Sequence, residues 1–142
     1  MQELANKVEF GYASLDEAFP PCEPGIHPFG SRVLVQIRTP KQKTKGGIIL
    51  TSETRETDAW NTQIAKVILV GELAFKNRTT MDPWPEGSWC KPGDFVRVPK
   101  YGGDRWTVKT TDGEDEALLV IFNDLDLVGK VTGDPLIIKA FI

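Results

Sequence analysis

Lys45-Gly46-Gly47-Ile48-Ile49-Leu50 is the stretch whose residue types and spacing point most directly to a chemistry, and that chemistry is burial. Three large apolar side chains follow two glycines. The flanks, Thr39 to Lys45 and Thr51 to Asp58, are polar, charged and almost free of apolar residues. A segment of this composition cannot bury enough apolar surface to offset its own ordering entropy, so it is expected to stay mobile until a partner supplies the missing surface. Gly46 and Gly47 supply the hinge, because glycine reaches backbone conformations closed to other residues.

Covalent chemistry finds less support. The single histidine, His27, precedes Pro28 and reads as a strand-entry residue. No nucleophile stands with a base and an orienting acid, so no catalytic constellation is evident and the chain is not expected to be an enzyme. Cys22 and Cys90 lack metal-ligand spacing and read as reduced structural thiols. No metal or cofactor is expected.

With 142 residues, 40% hydrophobic and 26% charged, the chain fits one domain with tails. A net charge of −3 argues against a nucleic-acid or anionic-membrane surface. The cluster Lys41, Lys43 and Lys45 reads as the solvated flank of a loop. Met1 to Leu4 shows no signal-peptide pattern, and the run Val67–Val70 is far too short to span a bilayer, so a cytoplasmic protein is expected.

The elements that must position the apolar triplet are short strands. Val33-Leu34-Val35-Gln36-Ile37 and Gln63 to Val70 are β-prone runs on either side of the loop. Phe95–Val98, Trp106–Lys109, Leu118–Phe122 and Leu125–Val128 read as further strands, with Asp112-Gly113 as a hairpin turn. The span Glu72 to Pro92 holds Pro83, Pro85, Gly87, Trp84 and Trp89 and reads as an excursion. Ser14 followed by Glu17 has capping-box spacing, but Pro20 and Pro21 limit any helix there to about two turns. Phe10, Tyr12, Leu15 and Phe19 pack on the domain, engage a neighbour, or belong to a loose tail. The pattern is all-β, a small barrel or sandwich.

Taken together, these positions resemble the GroES-type co-chaperonins, the chaperonin-10 family. Pro28-Phe29-Gly30-Ser31-Arg32-Val33 is similar to the family's first strand, with Ser31 in place of its usual acid. Gly46-Gly47-Ile48-Ile49-Leu50 matches the mobile-loop motif in type and position. Ala65 to Gly71, Gly93-Asp94 and Lys100-Tyr101-Gly102-Gly103 resemble later strands and turns, and Glu116 to Val131 the closing strands, with Asp124 or Asp126 at the late aspartate position. The resemblance implies a GroES-like β-barrel over residues 26–131, with a mobile loop at about 40–61 and a roof excursion at about 72–92. Residues 1–25 and 132–142 are extensions, and this embellishment fits a divergent, virus-encoded member acting in its host's cytoplasm.

The resemblance further implies a seven-membered homo-oligomeric ring that caps the chamber of a GroEL-type chaperonin and encloses an unfolded client. ATP would be bound by the partner and not by this chain. Ile48, Ile49 and Leu50 would enter an apolar groove on each chaperonin subunit. In the roof, Trp84 and Trp89 would close the orifice or line the cavity, or pack beneath the loop on their own barrel, and Lys76 and Arg78 would add positive charge. The longer excursion implies a taller or more closed dome. The competing reading is a non-catalytic virion or assembly subunit that reuses the barrel, with Leu136, Ile137, Ile138, Phe141 and Ile142 reaching a neighbour or tucked against their own barrel.

Overall fold

The computed structural model describes residues 14–39 and 63–138. Its centre is the β-branched run expected to be a strand. β1 (Arg32–Ile37) is buried from Val33 onward, a pattern that requires cover on both faces. On one face Val33, Val35 and Ile37 enter the main core. On the other, Gln36 is buried and its Nε2 donates to Pro20 O at 2.8 Å, so the segment before the domain covers this side.

Antiparallel neighbours flank it. β2 (Ile64–Val70) pairs along one edge, with a bulge where the register shifts between Leu34 and Val35. β5 (Glu116–Asn123) pairs along the other. Outside these lie β3 (Phe95–Arg97), β4 (Asp104–Lys109) and β6 (Gly129–Lys130), giving a six-stranded sheet in the order β4-β5-β1-β2-β3-β6. Every pairing is antiparallel. With one four-residue helix, α1 (Leu15–Ala18), the described chain is the small all-β fold expected from its strand pattern.

The turns follow their sequence chemistry. Between β4 and β5, Gly113 takes φ +75°, the left-handed conformation an Asp-Gly pair provides, and the Asp112 carboxylate accepts from the Thr110 hydroxyl at 2.6 Å and from Glu114 N–H. At the other end, Ser14 caps α1, its Oγ accepting from Glu17 N–H at 3.3 Å, and the helix stops before Pro20.

One expected strand is replaced. Leu125–Val128 is not a strand; Asp124–Asp126 is a 3₁₀ turn, and pairing resumes only at Gly129–Lys130. Its alternation of apolar and acidic residues imitates a strand period. The backbone is bent instead because Asp124 N–H donates to Ser31 O at 2.9 Å while its side chain accepts from Phe75 N–H.

The excursion 72–92 contains no strand, only an isolated bridge between Lys76 and Pro83. It is anchored by Phe75, fully buried in the core with φ +61°.

Candidate functional site

The apolar triplet Ile48, Ile49 and Leu50 and the expected hinge, Gly46 and Gly47, lie outside the described residues. Their two stems are described. Arg38 and Thr39 leave the end of β1, Gln63 and Ile64 enter β2, and Arg38 N–H donates to Ile64 O at 2.8 Å, just beyond the Ile37–Ala65 pair. Residues 40–62 therefore connect two adjacent antiparallel strands in the middle of the sheet.

Around these stems a second apolar cluster forms, apart from the main core. Ala18 and Phe19 from the leading segment and Ile64 from the stem are buried together, and Phe95, Val131, Leu136 and Ile138 pack against them. The Phe19 and Phe95 rings are tilted, with centroids 5.1 Å apart. Thr39 N–H donates to Ala18 O at 2.7 Å. Arg38, only 5% exposed, turns its guanidinium to the trailing segment, where Nη1 donates to Pro135 O at 2.9 Å and Ile138 O at 2.7 Å. Sequence reading did not single out Arg38. A lone arginine after a β-branched run looks like a strand end, and its partners lie about a hundred residues away.

The four residues expected in a roof separate into two groups. Trp84 and Trp89 are half-buried and pack on the core of their own chain, with ring centroids 4.8 Å apart and 5.6 and 6.0 Å from that of Phe75. This triad of rings ties the excursion to the sheet. Lys76 is half-buried at the bridge to Pro83, and Arg78, exposed, donates from Nη1 to Ser31 Oγ at 3.1 Å. Arg78 thus reaches back to the position where the family resemblance expects an acid.

Beside Trp89 a cavity of about 280 Å³ opens, walled by Cys90, Val96, Leu127 and the Lys130 stem among others. Burial, reinforced by the negative charge of Asp94, pushes the Cys90 thiol up to about 11, so it stays protonated and poorly nucleophilic at neutral pH. Lys130 pairs with Asp94 at 3.6 Å. The Lys91 N–H, at 3.0 Å from Asp94 Oδ2, is the main cause holding that carboxyl below its ordinary range, with both lysines adding to it. Cys22, half-buried, is also a free thiol raised by burial. His27 is exposed and its Nδ1 donates to Pro28 O at 2.9 Å. Among the described residues no three His, Cys, Asp or Glu side chains are grouped to hold a metal ion. The arrangement presents the two stems of the 40–62 segment braced by a small core.

Comparison with known proteins agrees with this geometry. The family model described as Chaperonin 10 Kd subunit matches residues 25–131. The co-chaperonin GroES of Lactococcus lactis subsp. cremoris (strain SK11) is 35% identical over 106 residues, covering 75% of this chain and 98% of the relative. The co-chaperonin GroES of Clostridium beijerinckii is 35% identical over 96 residues, covering 66% and 87% of the two chains. That of Methylacidiphilum infernorum is 36% identical over 97 residues, covering 68% and 87%. Both the family match and the described sheet thus converge on one conclusion: this chain belongs to the chaperonin 10 family of GroES-type co-chaperonins.

Proposed function

We propose that this co-chaperonin forms a seven-membered ring that caps the chamber of a GroEL-type chaperonin, and that Ile48, Ile49 and Leu50 are the residues it inserts into the partner. Membership of the chaperonin 10 family over residues 25–131 is the observation that carries the reading. The apolar triplet lies between two stems that leave neighbouring strands, a placement suited to presenting a hairpin to a groove.

Burying three such side chains gives on the order of 5 to 8 kcal/mol gross. Ordering the loop takes back about 2 to 5 kcal/mol. Each docking event is therefore weak, and a ring gains its grip through effective concentration once the first loop is seated. A small ATP-driven change in each groove, multiplied around the ring, then releases the lid. In this reading the nucleotide belongs to the partner, Gly46 and Gly47 act as the hinge, and Lys76 and Arg78 put positive charge on the roof.

Co-sedimentation with a bacterial chaperonin, with and without nucleotide, tests the proposal. Native protein should pellet with the chaperonin only when nucleotide is present. Ile49→Asp should lose that binding while its ring assembly, read by analytical ultracentrifugation, stays intact. Normal capping by Ile49→Asp would sink the assignment of the triplet.

A further inference from the structure

We propose that the segments outside the family domain form a collar around the base of the 40–62 loop, and that Arg38 is the positioning residue that fastens it. The collar's geometry stands by itself; its consequence for capping rests on the lid reading above.

Three contacts meet at one place. The leading segment reaches the first stem through Thr39 N–H, which lies beyond the last strand pair and donates to Ala18 O. It reaches the second stem by packing Ala18 and Phe19 on Ile64. The trailing segment is held by the Arg38 guanidinium, which donates to the carbonyls of Pro135 and Ile138 while Leu136 and Ile138 join the same apolar cluster. Both segments lie outside residues 25–131, whereas Arg38 and Ile64 lie inside them. The added chain at both ends thus converges on the loop stems.

Physical chemistry makes this a fastening rather than a casual contact. On a residue only 5% exposed, the guanidinium depends on the two carbonyls that Nη1 reaches, because a buried charge stripped of partners is costly. Both bonds leave one planar nitrogen, Nη1, whose two hydrogens set the direction of both carbonyls. With the stems held at Thr39 and Ile64 before any partner arrives, less freedom is lost when the loop docks, which is how preorganisation raises affinity.

Two variants test the collar in the full ring: Arg38→Met, which keeps an unbranched apolar stem without the guanidinium donors, and a chain ended at Gly133. Native-state amide exchange reads the geometry without any chaperonin. Thr39 should exchange about tenfold faster or more in both variants, while the β5 amides facing β1 keep their protection. Nucleotide-dependent binding to a bacterial chaperonin should weaken by about tenfold or more. Unchanged exchange at Thr39 overturns the collar, as does a uniform rise across the sheet, which would mean general destabilisation. Faster exchange at Thr39 with undiminished binding overturns its role in docking. Failure of the native ring to bind any chaperonin removes the lid reading and the docking role, while the exchange comparison still decides whether the collar is fastened.

Discussion

Asp124 joins two turns that are far apart in the chain: its N–H donates to Ser31 O and its Oδ2 accepts from Phe75 N–H, both at 2.9 Å. The second bond matters more, because Phe75 sits at φ +61°, a region that costs a non-glycine residue about 1 to 2 kcal/mol. A buried carboxylate that accepts the Phe75 amide offsets that strain and lets the ring reach Trp84 and Trp89. Replacing Asp124 with Ala leaves a buried amide without an acceptor and should lower stability by about 1 to 3 kcal/mol in urea unfolding. Asp124→Asn keeps an oxygen for Phe75 and should lose less. Equal losses in the two variants would show that the charge, not the acceptor, matters. The sequence left Asp124 and Asp126 on equal terms, since both sit in the same acidic and apolar alternation. Only the tertiary partners Ser31 and Phe75 separate the 4%-exposed Asp124 from the exposed Asp126.

At the scale of elements, the strands were legible where side-chain type alone decides the conformation. Val33–Ile37, Gln63–Val70 and Leu118–Phe122 are β-branched or aliphatic runs, and each lies within a strand or reaches one residue beyond it. The turn after β2 depends on something sequence patterns do not display, the close approach of two backbones. A Cβ on Gly71 would sit 2.2 Å from Gly30 O and 2.9 Å from Arg32 O, and Gly71 N–H donates to that same Arg32 O. Neither carbonyl can swing away without breaking the link between the ends of β1 and β2. Gly71→Ala should therefore cost about 3 kcal/mol or more. Gly113→Ala is the matched control: φ is +75° but nothing lies within 4 Å, so its cost should be about 1 kcal/mol. Urea midpoints of the two variants give the comparison, and a Gly113 variant as damaged as the Gly71 variant would refute the steric account. The 3₁₀ turn at Asp124–Asp126 escaped the sequence for a related reason, since contacts from Ser31 and Phe75 override a local alternation that favours a strand.

For the whole molecule, the sequence identified the family but gave no sign that the leading and trailing segments meet beside Arg38 and Ile64. Phe19, Arg38, Phe95 and Ile138 share no local pattern; they meet only because the sheet brings the start of β2, β3 and both extensions to one end. The same reasoning, that weak elements act through their arrangement, governs the proposed ring. If capping rests on several loops of modest affinity, disabling some of them should reduce binding far more than in proportion. Rings reassembled from mixtures of native and Ile49→Asp subunits test this. At an equal mixture, nucleotide-dependent co-sedimentation should fall well below half of the native value, because most rings retain too few working loops to gain avidity. A linear decline would mean that each subunit holds the chaperonin independently, which weak burial of three side chains does not support once loop ordering is subtracted. A steep decline places the grip of the lid in the assembly, with the collar of each subunit setting how readily its loop takes part.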